Sequence, residues 1–350
     1  MKINMIIKCR VCNTKNSKFY YSTNSLPEYI WPTKKIKISK SSCKVFICKK
    51  CGHIQLQNFT YKKITKFYGS QSFVINNSYK MDIRRKKIIK LFENKFFEKK
   101  GIEIGGGVNP FAKNFNKNYY IVDTRFEQNI KKKFKKNALS MKFENFKGKN
   151  FDYAILLHTL EHIKNPSQIV KKINKILSPE GRVIVEVPNF FYDIKFKPYY
   201  SIFHQHLSMF SLDTLKNVFF INGFKLQKIF TSKENIFICF KKTKKKILIK
   251  NCYNKNKIAL EYLKNKMHKI NGFLKNKFHK NKFILQGAGG SSSLIIHNFS
   301  LFLNKIEFAL DKDPKKSNLY IPGTNIKIFN KKSNKEIKII NLVKYFKSII

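Results

Sequence analysis

Two segments carry the first chemical signal. Ile102-Glu103-Ile104-Gly105-Gly106-Gly107-Val108 is an apolar run that ends in glycines, and Tyr119-Tyr120-Ile121-Val122-Asp123 is a second apolar run that ends in a carboxylate. Glycine has no Cβ and tolerates positive φ, so a strand ending this way lets backbone come close to a ligand. An acid at the end of the next strand suits two ribose hydroxyls, and the pair describes the nucleoside-binding half of a doubly wound α/β sheet. Glu103 ahead of the glycines, and Asn109-Pro110 where a third glycine would fall, speak against a dinucleotide fingerprint.

A second signal lies near the amino end. Cys9-x-x-Cys12 and Cys48-x-x-Cys51-Gly52-His53 have the spacing of two zinc knuckles. Cys9, Cys12, Cys48 and Cys51 together complete a tetrahedral set with no open position, which makes the expected zinc structural. His53 is a substitute ligand of low weight, and Cys43 lies outside both knuckles. Cys239 and Cys252 read as core or surface thiols. Seven cysteines, an odd number with four in knuckles, fit a reducing cytoplasm better than disulfides. No apolar run is long enough for a membrane span, and the first residues are too short in apolar length for a signal peptide.

Histidines make the third group: His158 and His162 around Glu161, and His204-Gln205-His206. His158 and His162 would share a face if the stretch were helical. The metalloprotease order is absent, so no metal is read there.

These groups need elements to hold them. Strands are expected at 102–104, 120–122, 152–157 and 182–187, with a helix from Pro166 to Leu177 and a turn at Ser178-Pro179-Glu180-Gly181. Such alternation predicts parallel strands with crossover helices. A basic helix is expected from Tyr79 to Lys99 and another from about Lys255 to Lys275. After the polar break at 241–246, Lys282–Gln286, Gly287-Ala288-Gly289-Gly290 and Ile306–Leu310 repeat a βα pattern, with a last strand near 337–340. The fold class is therefore α/β: a doubly wound, Rossmann-like domain at 71–245, a small zinc module at 1–70, and a smaller α/β domain at 246–350.

The chain of 350 residues has a formal net charge of +52. Only five of its 72 basic residues are arginine, and lysines are spread along the whole chain. A nucleic-acid surface normally uses arginine for bidentate contacts. The excess therefore reads as compositional bias, and nucleic acid is disfavoured as a partner, although the charge still suits an anionic substrate.

From about residue 80 to 240 the motif order resembles class I methyltransferases that use S-adenosylmethionine. The matching segments are the glycine run, Asp123, Phe151-Asp152-Tyr153-Ala154-Ile155-Leu156-Leu157-His158-Thr159-Leu160-Glu161-His162, Leu177-Ser178-Pro179-Glu180-Gly181 and Val185-Glu186-Val187-Pro188-Asn189. The resemblance implies that Glu103, Gly105 and Gly107 line the methionine and ribose end of the cofactor. It implies that Asp123 binds the ribose, that Leu139 lies near the adenine, and that His158 ends a strand at the cofactor. Tyr200-Ser201-Ile202-Phe203-His204-Gln205-His206-Leu207-Ser208-Met209-Phe210-Ser211 resembles a stretch of the sugar C-methyltransferases. Cys48–Leu56 and Asp311-x-Asp313-Pro314-x-Lys316 with Tyr320–Thr324 resemble the outer domains of the same group.

That resemblance implies a nucleotide-linked keto- or deoxysugar as substrate. Carbon methylation needs a base beside a carbonyl, and histidine titrates near neutrality. The expected catalytic set is His206 as base, His204 as orienter, and Gln205. Gln205 stands where the group has glutamate, Phe203 and Met209 replace tyrosines, and the stretch 69–76 lacks the group's tyrosines. These departures leave open a sugar O-methyltransferase or a degenerate protein that binds the cofactor without turnover. An RNA methyltransferase with a zinc module is the remaining alternative.

Overall fold

The computed structural model describes residues 6–35, 37–57, 89–90, 92, 96–107, 110–111, 118–124, 126, 128–230, 232–278, 282–299, 304–330, 339–342 and 344. The stretch 69–76 and most of the expected basic helix at 79–99 lie outside the described residues.

Among the described residues, sixteen strands form three sheets. The amino-terminal sheet holds β1 (Ile6–Ile7), β2 (Ser17–Pro27), β3 (Lys40–Cys48) and β4 (Ile54–Leu56). The central sheet is built from β5 (Gly101–Ile104), β6 (Tyr119–Asp123), β7 (Ala138–Ser140), β8 (Phe151–Leu157), β9 (Leu177–Pro188), β11 (Phe224–Ile229) and β12 (Asn235–Lys242). Between them in sequence, β10 (Ser208–Met209) leaves the central sheet and pairs antiparallel with β4, so the amino-terminal order is β1-β2-β3-β4-β10. The third sheet contains β13 (Phe283–Gln286), β14 (Ile306–Leu310), β15 (Ile328–Phe329) and β16 (Ile339–Ile340), all parallel.

The central order is β11-β12-β9-β8-β5-β6-β7. The five strands β5 to β9, with β10 excluded, run parallel, and β12 and β11 close one edge antiparallel. Burial on both faces explains why Ala154-Ile155-Leu156 and Val183-Ile184-Val185 read as unbroken apolar runs. Order reverses around β5, and the ends of β5, β6 and β8 meet there. That switch point is where doubly wound sheets bind ligands.

Helices follow sequence signals. Pro166 opens the helix Pro166–Ile176, where its missing N–H costs nothing, and Ile169, Val170, Ile173 and Ile176 pack inward. Ser211 caps the helix Leu212–Ile221 through a capping box with Thr214. The expected helix near 255–275 runs from Tyr253 to Phe278. One expectation changes form: the turn at Ser178–Gly181 falls inside β9. Phe151 pairs with Leu177 while Tyr153 pairs with Arg182, so the four residues are pushed out as a bulge.

Candidate active site

The cofactor end begins with the loop after β5. Gly105 has φ +83°, and a Cβ there would lie 2.4 Å from the Thr159 hydroxyl oxygen. Glycine is thus required for both conformation and space. Glu103 is 3% exposed and spends its carboxylate on this loop. It accepts from the Phe111 amide at 3.0 and 2.9 Å and from the Tyr119 hydroxyl at 3.1 Å. Its contacts are those of a loop anchor, buried behind the glycines. Asp123, at the end of β6, accepts from the Gly107 amide at 3.0 Å. Leu139 pairs with Val122 on the neighbouring strand, beside Asp123. Gly105, Gly107, Asp123 and Leu139 therefore gather at the carboxyl-terminal ends of β5, β6 and β7.

Thr159 joins these strand ends to a cluster of ionisable groups, because its hydroxyl donates to Ile104 O at 3.2 Å. His158 ends β8 at φ +51° and places its ring between two buried carboxylates. Nδ1 lies 3.4 Å from Glu161 and Nε2 lies 3.7 Å from Glu186. Burial alone would lower its pKa, but the two carboxylates win and hold it up at about 9. Burial would raise Glu161, but His158, His162 and His206 outweigh it and pull it to about 2. The stretch is a strand end followed by one 3-10 turn, Leu160–His162, and not an α-helix.

His162 Nδ1 lies 2.7 Å from Gln205 O, so it carries the proton and donates. Its Nε2 lies 3.8 Å from Glu161. Leu207 N donates to Glu161 O at 2.9 Å, which ties the two segments together. His206 stacks on Phe203 with centroids 4.1 Å apart and meets the His162 ring edge-on at 5.0 Å. Burial, then the neighbouring His162, push His206 down to about 3, so its imidazole is neutral near pH 7.

His204 goes elsewhere. Its Nε2 donates to Ser41 O at 2.9 Å and its Nδ1 lies 3.5 Å from Cys43 Sγ, both in β3. Burial pushes its pKa down. Gln205 meets the cluster through its backbone oxygen, while its buried side-chain nitrogen makes no hydrogen bond among the described residues. Of the three residues expected together, the structure brings His206 to the carboxylates. It adds Glu161, Glu186 and His162, which the sequence reading had left without a role. A density of titratable residues at the end of a predicted parallel strand is the signal that marks them.

The four knuckle cysteines gather as expected, with Sγ atoms within 4.8 Å of one another. Cys9–Cys51 and Cys12–Cys48 are each 3.6 Å apart. Zn–S bonds of about 2.3 Å in a tetrahedron give an edge of about 3.8 Å, so the donor set fits zinc. Contact with Cys12 pushes the Cys51 thiol up, and contact with Cys48 pulls the Cys12 thiol down. Such crowding of thiols is relieved when a dication replaces their protons. His53 is not part of this set: its Nε2 pairs with Ser208 Oγ at 3.2 Å. Arg10, inside the first knuckle, donates to Leu56 O and Lys164 O, fastening the cluster to β4 and to the loop before the helix Pro166–Ile176.

With the site in place, comparison with known proteins is direct. Residues 77–229 match the family model of a methyltransferase domain. No curated protein matches the chain by sequence. Among solved structures, it is similar to the N-methyltransferase NodS of Bradyrhizobium japonicum, with 11% identity, 49% of this chain and 100% of that one covered, and TM-score 0.37. It is similar to an S-adenosylmethionine-dependent methyltransferase of Mesorhizobium loti, with 9% identity, 45% and 96% covered, and TM-score 0.35. It is also similar to the PH0226 protein of Pyrococcus horikoshii, with 13% identity, 53% and 99% covered, and TM-score 0.39. The domain match defines the class of this stretch: residues 77–229 form an S-adenosylmethionine-dependent methyltransferase domain.

Proposed function

We propose that this enzyme methylates a nucleotide-linked keto- or deoxysugar, at a carbon beside the carbonyl, with His206 as the base. One observation carries the reading. The segment Tyr200–Ser211, which resembles the acceptor segment of sugar C-methyltransferases, carries His206 beside His162 and Glu161, just after Thr159, whose hydroxyl bonds Ile104 O at the glycine loop.

S-adenosylmethionine, when bound, supplies an electrophilic methyl group. Gly105 and Gly107 leave room for its methionine and ribose, and Asp123 exchanges its bond to Gly107 for the ribose hydroxyls. The neutral imidazole of His206 takes the acceptor's proton, while Phe203 and His162 fix its ring. The carbon–methyl bond then forms in line as the sulfur–methyl bond breaks. Position and orientation supply most of the acceleration. Cys9, Cys12, Cys48 and Cys51 hold a structural zinc whose task is to brace β4 and, through it, β10 at the end of the acceptor segment. Seven cysteines, none of them in a disulfide, suit work in the cytoplasm.

The test is transfer of labelled methyl from S-adenosylmethionine to a panel of nucleotide-linked keto- and deoxysugars, with bulk RNA in parallel. Label in a sugar is expected, and its position separates carbon from oxygen methylation. Label in RNA alone overturns the reading.

A further inference from the structure

Glu161 presents an unusual situation. It is 1% exposed, and neither carboxylate oxygen accepts a hydrogen bond among the described residues. A buried carboxylate normally has such partners, because desolvating a charge costs several kcal/mol or more. Its neighbours are imidazole nitrogens. His158 Nδ1 and His162 Nε2 lie 3.4 and 3.8 Å from the same oxygen, Oε1, and a His206 ring nitrogen lies within 4.8 Å. His162 donates from Nδ1 to Gln205 O, which turns its Nε2 edge toward the carboxylate.

We infer that Glu161, His162 and His206 form a binding site for a divalent transition cation of the zinc class, separate from the four-thiol cluster. The three donor atoms lie within 4.8 Å of one another. A tetrahedral ion with bonds of about 2.0 Å needs donors about 3.3 Å apart, a closure that side-chain rotation supplies. Two imidazoles and one carboxylate form the donor set of open, reactive zinc and iron sites, and not of magnesium sites. The Nδ1–H of His162 on a backbone carbonyl is the outer partner that such a ligand needs.

Whether the ion binds does not depend on the proposed function; what it does there rests on that reading. A ligated His206 has given up its lone pair and takes no proton, so the role of base proposed above belongs to the chain without this ion.

The experiment loads the purified full-length chain with cobalt(II) and counts metal per chain, reading absorption in parallel. Thiolate-to-cobalt charge transfer reports the cysteine cluster, and weaker ligand-field bands without it report the second site. Two ions per chain are expected. In Glu161→Gln and His206→Ala the second ion should bind at least tenfold more weakly while the thiolate band stays. One ion in the unaltered chain overturns the inference, as does a second ion retained in both variants. If His206→Ala loses the thiolate band through misfolding, the near-isosteric Glu161→Gln decides, with S-adenosylmethionine affinity as its folding control. Methyl transfer to sugar with one ion bound removes the site and keeps the function. Two ions with label only in RNA removes the function and keeps the site.

Discussion

Asp123 and Gly107 hold each other across the cofactor end, and that 3.0 Å bond must be exchanged when ribose hydroxyls arrive. A charged acceptor of this kind is worth about 1.5–3 kcal/mol, and each 1.4 kcal/mol is about tenfold in affinity. Asp123→Ala should therefore weaken S-adenosylmethionine binding at least tenfold by titration calorimetry. An unchanged Kd would remove Asp123 from the ribose site. Asp193 belongs to the same scale for another reason. Burial lifts its carboxyl to about 7 from 3.8, with Lys197 opposing and Glu234 adding to the shift, and His158 opposing from the end of β8. The folded state then keeps a proton that the unfolded chain releases. This contribution to stability is fully present below about pH 4, declines as pH rises, and is gone above about pH 7. Asp193→Asn should raise stability above pH 7, by up to about 4 kcal/mol at about 1.36 per pKa unit, and leave it nearly unchanged below pH 4. Urea titrations at the two pH values measure this; equal gains at both would refute the assignment.

At the scale of elements, the segment around His204 and His206 shows what separates two histidines that the sequence sets side by side. His206 N donates to Phe203 O at 3.1 Å, which closes a turn over 203–206. The turn sends His204 to Ser41 and Cys43 on β3 and His206 to Glu161 and His162. His204→Ala should cost about 1–3 kcal/mol of stability through the orphaned Ser41 carbonyl. The pH profile of methyl transfer should keep its shape, whereas a changed profile would return His204 to the reacting groups. The glycine loop, Asp123 and the two knuckles were legible because each is a local pattern with one physical solution: strand then close approach, strand then acid, thiol pairs on one ion. The cluster was not, since Glu161 and His206 meet through a turn with no glycine, proline or asparagine to announce it. The stretch 158–162 was misleading because its spacing suits a helix face, and the single 3-10 turn after β8 places its side chains differently.

At the scale of the whole molecule, the charge is carried mostly by lysines spread along the whole sequence. A net charge of +52 still raises the local concentration of anions. The KM for a nucleotide-linked acceptor should rise several-fold between low and high salt while kcat changes little, because screening weakens approach and not chemistry. A KM indifferent to ionic strength would show that the lysines have no part in substrate capture.

The pairing of β4 with β10 also sets a schedule for biosynthesis. Leu56 leaves the ribosome long before Met209, about 150 residues at roughly 5–20 residues per second, so the β4 edge waits on the order of ten to thirty seconds for its neighbour. During that interval the nascent chain exposes an apolar strand edge, Ile54-Gln55-Leu56, of the kind that recruits other chains. Slow translation or scarce chaperones would thus be expected to harm yield through this edge before they harm any other part of the protein.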